Sequence, residues 1–227
     1  MSMPVLALCP YPDCRLIYRP ELSDPSAKVG KCTHCGRLGT LRSSKLWRKM
    51  LANVIVRQKT AQLQFAPESV DLIAPVSAIV EDVRSLMNVG SIFRTADAAG
   101  MSQLYLCGIT GCPPRKEIAK TSLGAENHVT WEYFAHPLDI MLSLKRRGVK
   151  ILALEKTESS KPLPDLLAEG LIAKPLCFVV GNEVTGVSPE VLANCDLVCH
   201  LPMKGSKESL NVSVAFGIAA YLLELFA

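Results

Sequence analysis

The sequence predicts an α/β fold built on a largely parallel sheet, preceded by a small cysteine-bearing arm. From Pro75 onward, short runs rich in Val, Ile and Leu alternate with segments of helical periodicity, the pattern of successive βα units. Four of the nine cysteines fall within the first 36 residues. Charge also divides the chain: residues 1–66 hold eleven Lys or Arg against three acids, and residues 67–227 hold fourteen against eighteen, within an overall charge of +4. A basic first part and an acidic second part are expected to do different work, the first facing a polyanion or simply presenting a solvated basic face.

The arm is read as residues 1–40. Its cysteines, Cys9, Cys14, Cys32 and Cys35, follow the pattern C-x4-C-x17-C-x2-C, the two-plus-two form of a structural zinc ribbon. A segment this short cannot build a self-sufficient core, so a bound zinc would contribute folding energy directly. Unpaired thiols in a loose arm are the other reading. His34 sits between the ligands, but four thiolates already complete a tetrahedral site, and a surface histidine is preferred. Residues 41–74 read as a basic linker helix: Ser44 can cap it, Trp47, Met50, Leu51, Val54 and Ile55 share one side, and Lys45, Arg48 and Lys49 could track the phosphates of a polyanion. A packed linker with solvated lysines fits these residues nearly as well.

In the main domain, residues 75–227, strands are expected at Val76–Val80, Gln103–Cys107, Val129–Phe134, Lys150–Leu154, Cys177–Val180 and Leu197–Leu201. Helices are expected from Asn88, as N-cap, to Ala99 before Gly100, and from Pro137 to Arg147 before Gly148. A short helix should start at Ser188-Pro189, since serine caps and proline fits the first turn. The last helix, from about Leu210, is apolar around most of its circumference and is expected to be buried on more than one side. At Val212–Ala227 it is shorter than the roughly 20 residues of a bilayer span. The stretch Glu158–Asp165 reads as a surface loop. Cys107, Cys177 and Cys199 sit in strand-like runs and read as core residues, with Cys112 and Cys195 at loop or helix ends. Pro10 and Pro12 interrupt the N-terminal apolar run, so no secretory signal is expected, and nine cysteines then belong to a reducing, cytoplasmic setting.

Three segments carry the chemistry: NVGSIFRTADAAG (88–100), VVGNEVTGVSPEVL (179–192) and LPMKGSKESLNVSVAFGIAA (201–220). Each places glycines and polar residues where a strand gives way to a helix, the position in an α/β sheet at which ligands are held. No GxGxxG follows a strand, so the dinucleotide fingerprint is missing. In order and wording the three segments resemble the motifs of the SpoU/TrmH family of RNA 2′-O-methyltransferases, within the SPOUT superfamily. The resemblance spans roughly residues 75–227. It implies a trefoil-knotted sheet, S-adenosyl-L-methionine (AdoMet) as cofactor, tRNA or rRNA as substrate, a homodimer, and transfer of the methyl to a ribose 2′-hydroxyl.

The resemblance also assigns roles residue by residue. Arg94 matches the catalytic arginine and Asn88 its support; Glu183 matches an acid that orders the active-site loops or the arginine; Ser209 and Asn211 match a polar pair beside the reacting centre. Gly181, Leu201, Met203 and Leu210 match the cofactor enclosure; Gly186, the second glycine of the same loop, permits close backbone approach to a nucleoside, and Lys204 and Lys207 add charge for RNA phosphate. A guanidinium stays protonated, so Arg94 is expected to hold phosphate and stabilise developing oxyanion charge instead of acting as a simple base. Ser209 also reads as the N-cap of the last helix. Lys120–Phe134 resembles the family too, without an evident role for Asn127 or His128. Two other functions remain open on sequence: a catalytically idle RNA-binding or ribosome-assembly factor, and a methyltransferase acting on a base.

Overall fold

The computed structural model describes residues 74–227 and, within the first 40, the backbone of four short strands. The chain divides into two compact units, Met1–Lys59 and Thr60–Ala227. In the first unit β1 (Ala7–Leu8) pairs antiparallel with β2 (Ile17–Tyr18), and β3 (Val29–Lys31) with β4 (Leu38–Thr40). The four arm cysteines, the 41–74 helix and the basic residues Lys45, Arg48 and Lys49 lie outside the described residues.

The second unit carries a seven-stranded sheet. In chain order its elements are β5 (Val76–Glu81), α1 (Leu86–Ala99), β6 (Gln103–Cys107), α2 (Lys116–Ser122), a 3-10 turn at Ala125–Asn127, β7 (Thr130–Phe134), α3 (Pro137–Arg146) and β8 (Lys150–Leu154). After these come β9 (Lys161–Pro162), α4 (Leu163–Ala168), β10 (Leu176–Val180), α5 (Pro189–Ala193), β11 (Leu197–His200) and α6 (Val212–Phe226). The strand order is β7-β6-β5-β10-β8-β11-β9, and every pairing is parallel. The chain runs outward from β5 through β6 to β7, then returns to build the other half. β10 is inserted between β5 and β8, so the order reverses near the centre, where an open α/β sheet leaves a crevice at the carboxyl ends of its strands.

Strand alternation divides the apolar residues between two layers. Val76, Ala78 and Val80 of β5 and Leu176, Phe178 and Val180 of β10 face one side, joined by residues of α1, α2, α4 and α6. Ile79, Cys177 and Val179 face the other, against Ile140, Met141 and Leu144 of α3 and Val191 of α5. Phe178 and Phe216 are fully buried with ring centroids 5.0 Å apart, joining the central strand to α6. Truncating either to alanine would cost about 3–5 kcal/mol. Cys107, Cys177 and Cys199 are buried as expected. Burial pushes the Cys177 and Cys199 thiols up to about 12 and that of Cys107 well above its ordinary value, so they stay protonated core residues.

Several expectations need correction. Helix α1 begins at Leu86 and is capped by Ser85, whose side chain accepts from the Asn88 backbone; Asn88 is inside the first turn, and its amide is free for other partners. Gly100 closes this helix in the left-handed region, as the sequence suggests. The last helix is capped by Asn211, not Ser209, through a bond from the Ser213 backbone. It is buried along only one face of this chain: Val212, Phe216, Ala219, Ala220 and Leu223 are covered, while Val214, Ile218, Tyr221, Leu225 and Phe226 are exposed. The expected surface loop at Glu158–Asp165 contains β9 and the start of α4, with Leu163 fully buried. Helix α2 had no sequence expectation, because seven residues with one deeply buried apolar side chain, Ile118, show no usable period.

Candidate active site

The loops that follow β5, β8, β10 and β11 converge at one end of the sheet. Between the last three lies a cleft of about 450 Å³ lined by residues 154–156, 180–184, 186, 200, 201, 203, 208–212 and 215. All five residues expected at the cofactor, Gly181, Gly186, Leu201, Met203 and Leu210, line it, together with Glu183, Ser209 and Asn211. A cleft of this volume suits a nucleoside-sized ligand. The described residues include no group of three or more His, Cys, Asp or Glu placed to hold a metal.

The loop after β10 turns back on itself within a few residues. Asn182 and Gly186 form an isolated antiparallel bridge, and the Asn182 side-chain oxygen accepts from Val184 and Thr185 backbone N–H groups at 2.9 and 3.2 Å. Its amide donates to the Asp82 carbonyl at 2.7 Å, tying the loop to the end of β5. A Cβ on Gly181 would collide with the backbone of Gly186 and Val187, so only glycine permits this closure. Gly186 itself has φ +68°.

Glu183 projects from the same loop and joins it to α1. Its carboxylate accepts from the backbone N–H groups of Arg84 (3.1 Å) and Ser85 (3.0 Å) and from the Asn88 amide (2.9 Å). Burial tends to raise its pKa, but the bonds from Arg84, its own backbone N–H, Ser85 and Asn88 outweigh that and hold the carboxyl below its ordinary range. Asn88 then accepts from the Asn211 amide at 3.2 Å. The relay Asn211–Asn88–Glu183 therefore takes one residue from each of the three sequence motifs. Two donors to the carboxylate sit in the turn entering α1, so the acid also occupies the electropositive end of that helix.

A second carboxylate braces the loop from beneath. Glu81, at the end of β5, is 4% exposed and accepts from the Ser188 backbone at 3.0 Å. Burial pushes its pKa up, opposed by the Ser188 hydroxyl and backbone and reinforced by Asp82 and Glu190. Ser188 caps α5 with Pro189 in its first turn, as the sequence suggests.

Arg94 stands apart. It is exposed on α1, and its side chain makes no hydrogen bond or ion pair with another described residue. Six helical positions place it about 240° around the axis from Asn88, so the two do not share a face. The expected support of Arg94 by Asn88 is thus not seen within this chain; Asn88 binds Glu183 and Asn211 instead. Ser209 lines the cleft without a side-chain hydrogen bond to another described residue, and Lys204 and Lys207 are exposed in the loop between β11 and α6 without lining it. Glu155, Asn182 and His200 also line the cleft; sequence reasoning passed over Glu155 and His200 and gave Asn182, in the loop after the strand, no role. Only Asn182, inside a glycine-rich turn, carried a signal that could have marked it.

The geometry agrees with the comparisons to known proteins. Over 141 residues the chain is 35% identical to a tRNA (guanosine(18)-2'-O)-methyltransferase of Aquifex aeolicus, covering 62% of this chain and 64% of that one. The crystal structure of the A. aeolicus TrmH/SpoU tRNA modifying enzyme superposes with a TM-score of 0.59 at 32% identity, covering 66% of this chain and 74% of the other. An AdoMet-bound rRNA methyltransferase from Sinorhizobium meliloti gives a TM-score of 0.59 at 27% identity, over 66% and 55%. The chain thus spans a little under two thirds of the length of the curated relative. A profile described as the SpoU rRNA Methylase family matches residues 75–221, which is most of the chain, and the protein belongs to that family.

Proposed function

We propose that this protein transfers the methyl group of AdoMet to a ribose 2′-hydroxyl of tRNA or rRNA. The observation that carries the reading is the cleft lined by the second and third family motifs, which the Asn211–Asn88–Glu183 relay joins to the first. Gly181, Gly186, Leu201, Met203 and Leu210 supply an enclosure of glycine backbone and apolar side chains suited to the adenosine part of the cofactor. AdoMet supplies an electrophilic methyl on a sulfonium. The chain's own residues have to hold the RNA hydroxyl in line with that methyl, and to stabilise charge as its proton leaves.

In this reading Glu183, already satisfied by three donors, keeps the loop after β10 and the entry to α1 in register. Asn211 and Ser209 face the reacting hydroxyl, and Arg94 holds the adjoining phosphate and favours oxyanion character there. The separation of Arg94 from the cleft within one chain, and the exposed apolar face of α6, support a homodimer in which a second copy completes the site. A trefoil-knotted path is part of the same proposal, supported by the insertion of β10 between β5 and β8 and by the likeness to SpoU/TrmH structures. Lys204 and Lys207, with Lys45, Arg48 and Lys49 of the linker segment, would meet RNA phosphate.

The arm is proposed to hold one structural zinc through Cys9, Cys14, Cys32 and Cys35. The sequence positions support it: Cys9 and Cys14 fall between the paired strands β1 and β2, and Cys32 and Cys35 between β3 and β4, so each pair belongs to one hairpin.

The test is transfer of labelled methyl from AdoMet to unmodified cellular RNA, followed by digestion to nucleosides, with metal analysis of the same preparation. Label on ribose is expected, with zinc bound. Label on a base, or none despite cofactor binding, would overturn the ribose assignment, and a metal-free folded arm would overturn the zinc site.

A further inference from the structure

We propose that Glu155 is a positioning residue of the cofactor cleft, holding the loop after β10 against the ends of β8 and β11 so that the cofactor space is open before binding. The inference rests on the AdoMet reading of the cleft.

Glu155 is the first residue past β8. The parallel register that pairs Ala153 with Val179 brings it beside the start of the loop after β10. Its Oε2 accepts from the Val187 backbone N–H at 2.8 Å and its Oε1 from the Lys156 N–H at 3.0 Å. Its own N–H donates to the Cys199 carbonyl at 2.8 Å. From the end of β8, one residue therefore holds both the loop after β10 and the end of β11, three adjacent strands whose loops form the cleft walls.

Two features make this more than an incidental contact. Val187 is 3% exposed, so without Glu155 its N–H would be a buried donor lacking a partner, and the loop would have to shift to satisfy it. Gly186 is packed so closely over the carboxylate that a Cβ there would collide with Glu155 Oε2, which makes the acid the surface on which the loop rests. The segment beyond Glu155 extends the brace to the third motif. The Thr157 N–H donates to Ser160 Oγ at 2.9 Å, and Ser160 Oγ lies 2.9 Å from His200 Nδ1, beside Leu201. Glu155 thus acts through Gly186 and Val187, and its effect belongs to cofactor affinity, not to the methyl-transfer step.

The experiment titrates the full-length chain with AdoMet by calorimetry, for wild type, Glu155→Ala, Glu155→Asp and Glu155→Gln, and measures methyl transfer at saturating AdoMet. Wild type should bind. Alanine removes the acceptor and aspartate falls one methylene short of Val187, so both should bind AdoMet about tenfold more weakly or worse. Turnover at saturation should stay within about threefold of wild type, the KM-against-kcat split of uniform binding. Glutamine keeps an oxygen for the Val187 N–H, giving up only the exposed contact with the Lys156 N–H, and should rescue binding to within about threefold. If Glu155→Ala fails to fold, Glu155→Asp carries the same expectation. Wild-type affinity in the alanine or aspartate variant would overturn the proposal, as would glutamine as weak as alanine with unchanged melting. Absence of AdoMet binding by wild type itself would instead overturn the cofactor reading, and this inference with it.

Discussion

The two sides of the site differ in how they are held. Around the cleft, Glu81, Glu155, Asn182 and Glu183 each bind backbone of another segment, so the loop after β10 is fixed from β5, β8 and α1 together. Arg94, Lys204 and Lys207, by contrast, are exposed, and none has a side-chain hydrogen bond or ion pair with another described residue. The difference matches two kinds of ligand. A small cofactor is bound well by a preorganised cavity, whereas a polyanion can be met by mobile cations whose contacts form on encounter.

Substitutions in the held half should therefore act first on cofactor binding. The largest effect is expected for Gly181→Ala, whose Cβ meets the backbone of Gly186 and Val187. Overpacking of this kind costs about 1–3 kcal/mol, and calorimetry should show AdoMet affinity reduced by about ten- to a hundredfold. Undiminished affinity would show that the loop is looser than its hydrogen bonds imply.

Glu183→Gln should have a smaller effect. It turns an amide NH2 toward N–H donors now served by a carboxylate, and since Glu183 is partly exposed, a melting-derived loss of about 1 kcal/mol is expected. Its pH dependence sharpens the comparison. The folded carboxyl lies below its ordinary range, so its stabilisation is present above the unfolded value of about 4.3 and is lost as pH falls through the folded value. Glu81 works in the opposite sense, its raised pKa favouring the fold at low pH. Glu81 is common to wild type and Glu183→Gln, so the difference between their melting curves isolates Glu183. That difference should shrink below about pH 4; a constant difference would mean that charge at Glu183 is irrelevant.

Much of this architecture was legible in the sequence, and the failures have physical causes. The six main strands were found to within a residue because buried parallel strands are continuous apolar runs with glycine or polar ends. Helix starts were misplaced where two cap-forming residues stand close together: Ser85 and Asn88, then Ser209 and Asn211. Local chemistry allows either, and tertiary contacts choose, since Asn88 is needed by Glu183. The motifs marked every residue of the relay. Glu155 carried no mark, because only the β8–β10 register brings it to Val187, 32 positions away in sequence.

The most direct test of the division is Arg94→Ala, read in two ways at once: AdoMet affinity by calorimetry and methyl transfer to RNA. If the cofactor side is complete without Arg94, affinity stays at the wild-type value while transfer falls by about a hundredfold or more. Parallel loss of cofactor affinity would contradict the separation of the two halves, and unchanged transfer would remove Arg94 from the reaction.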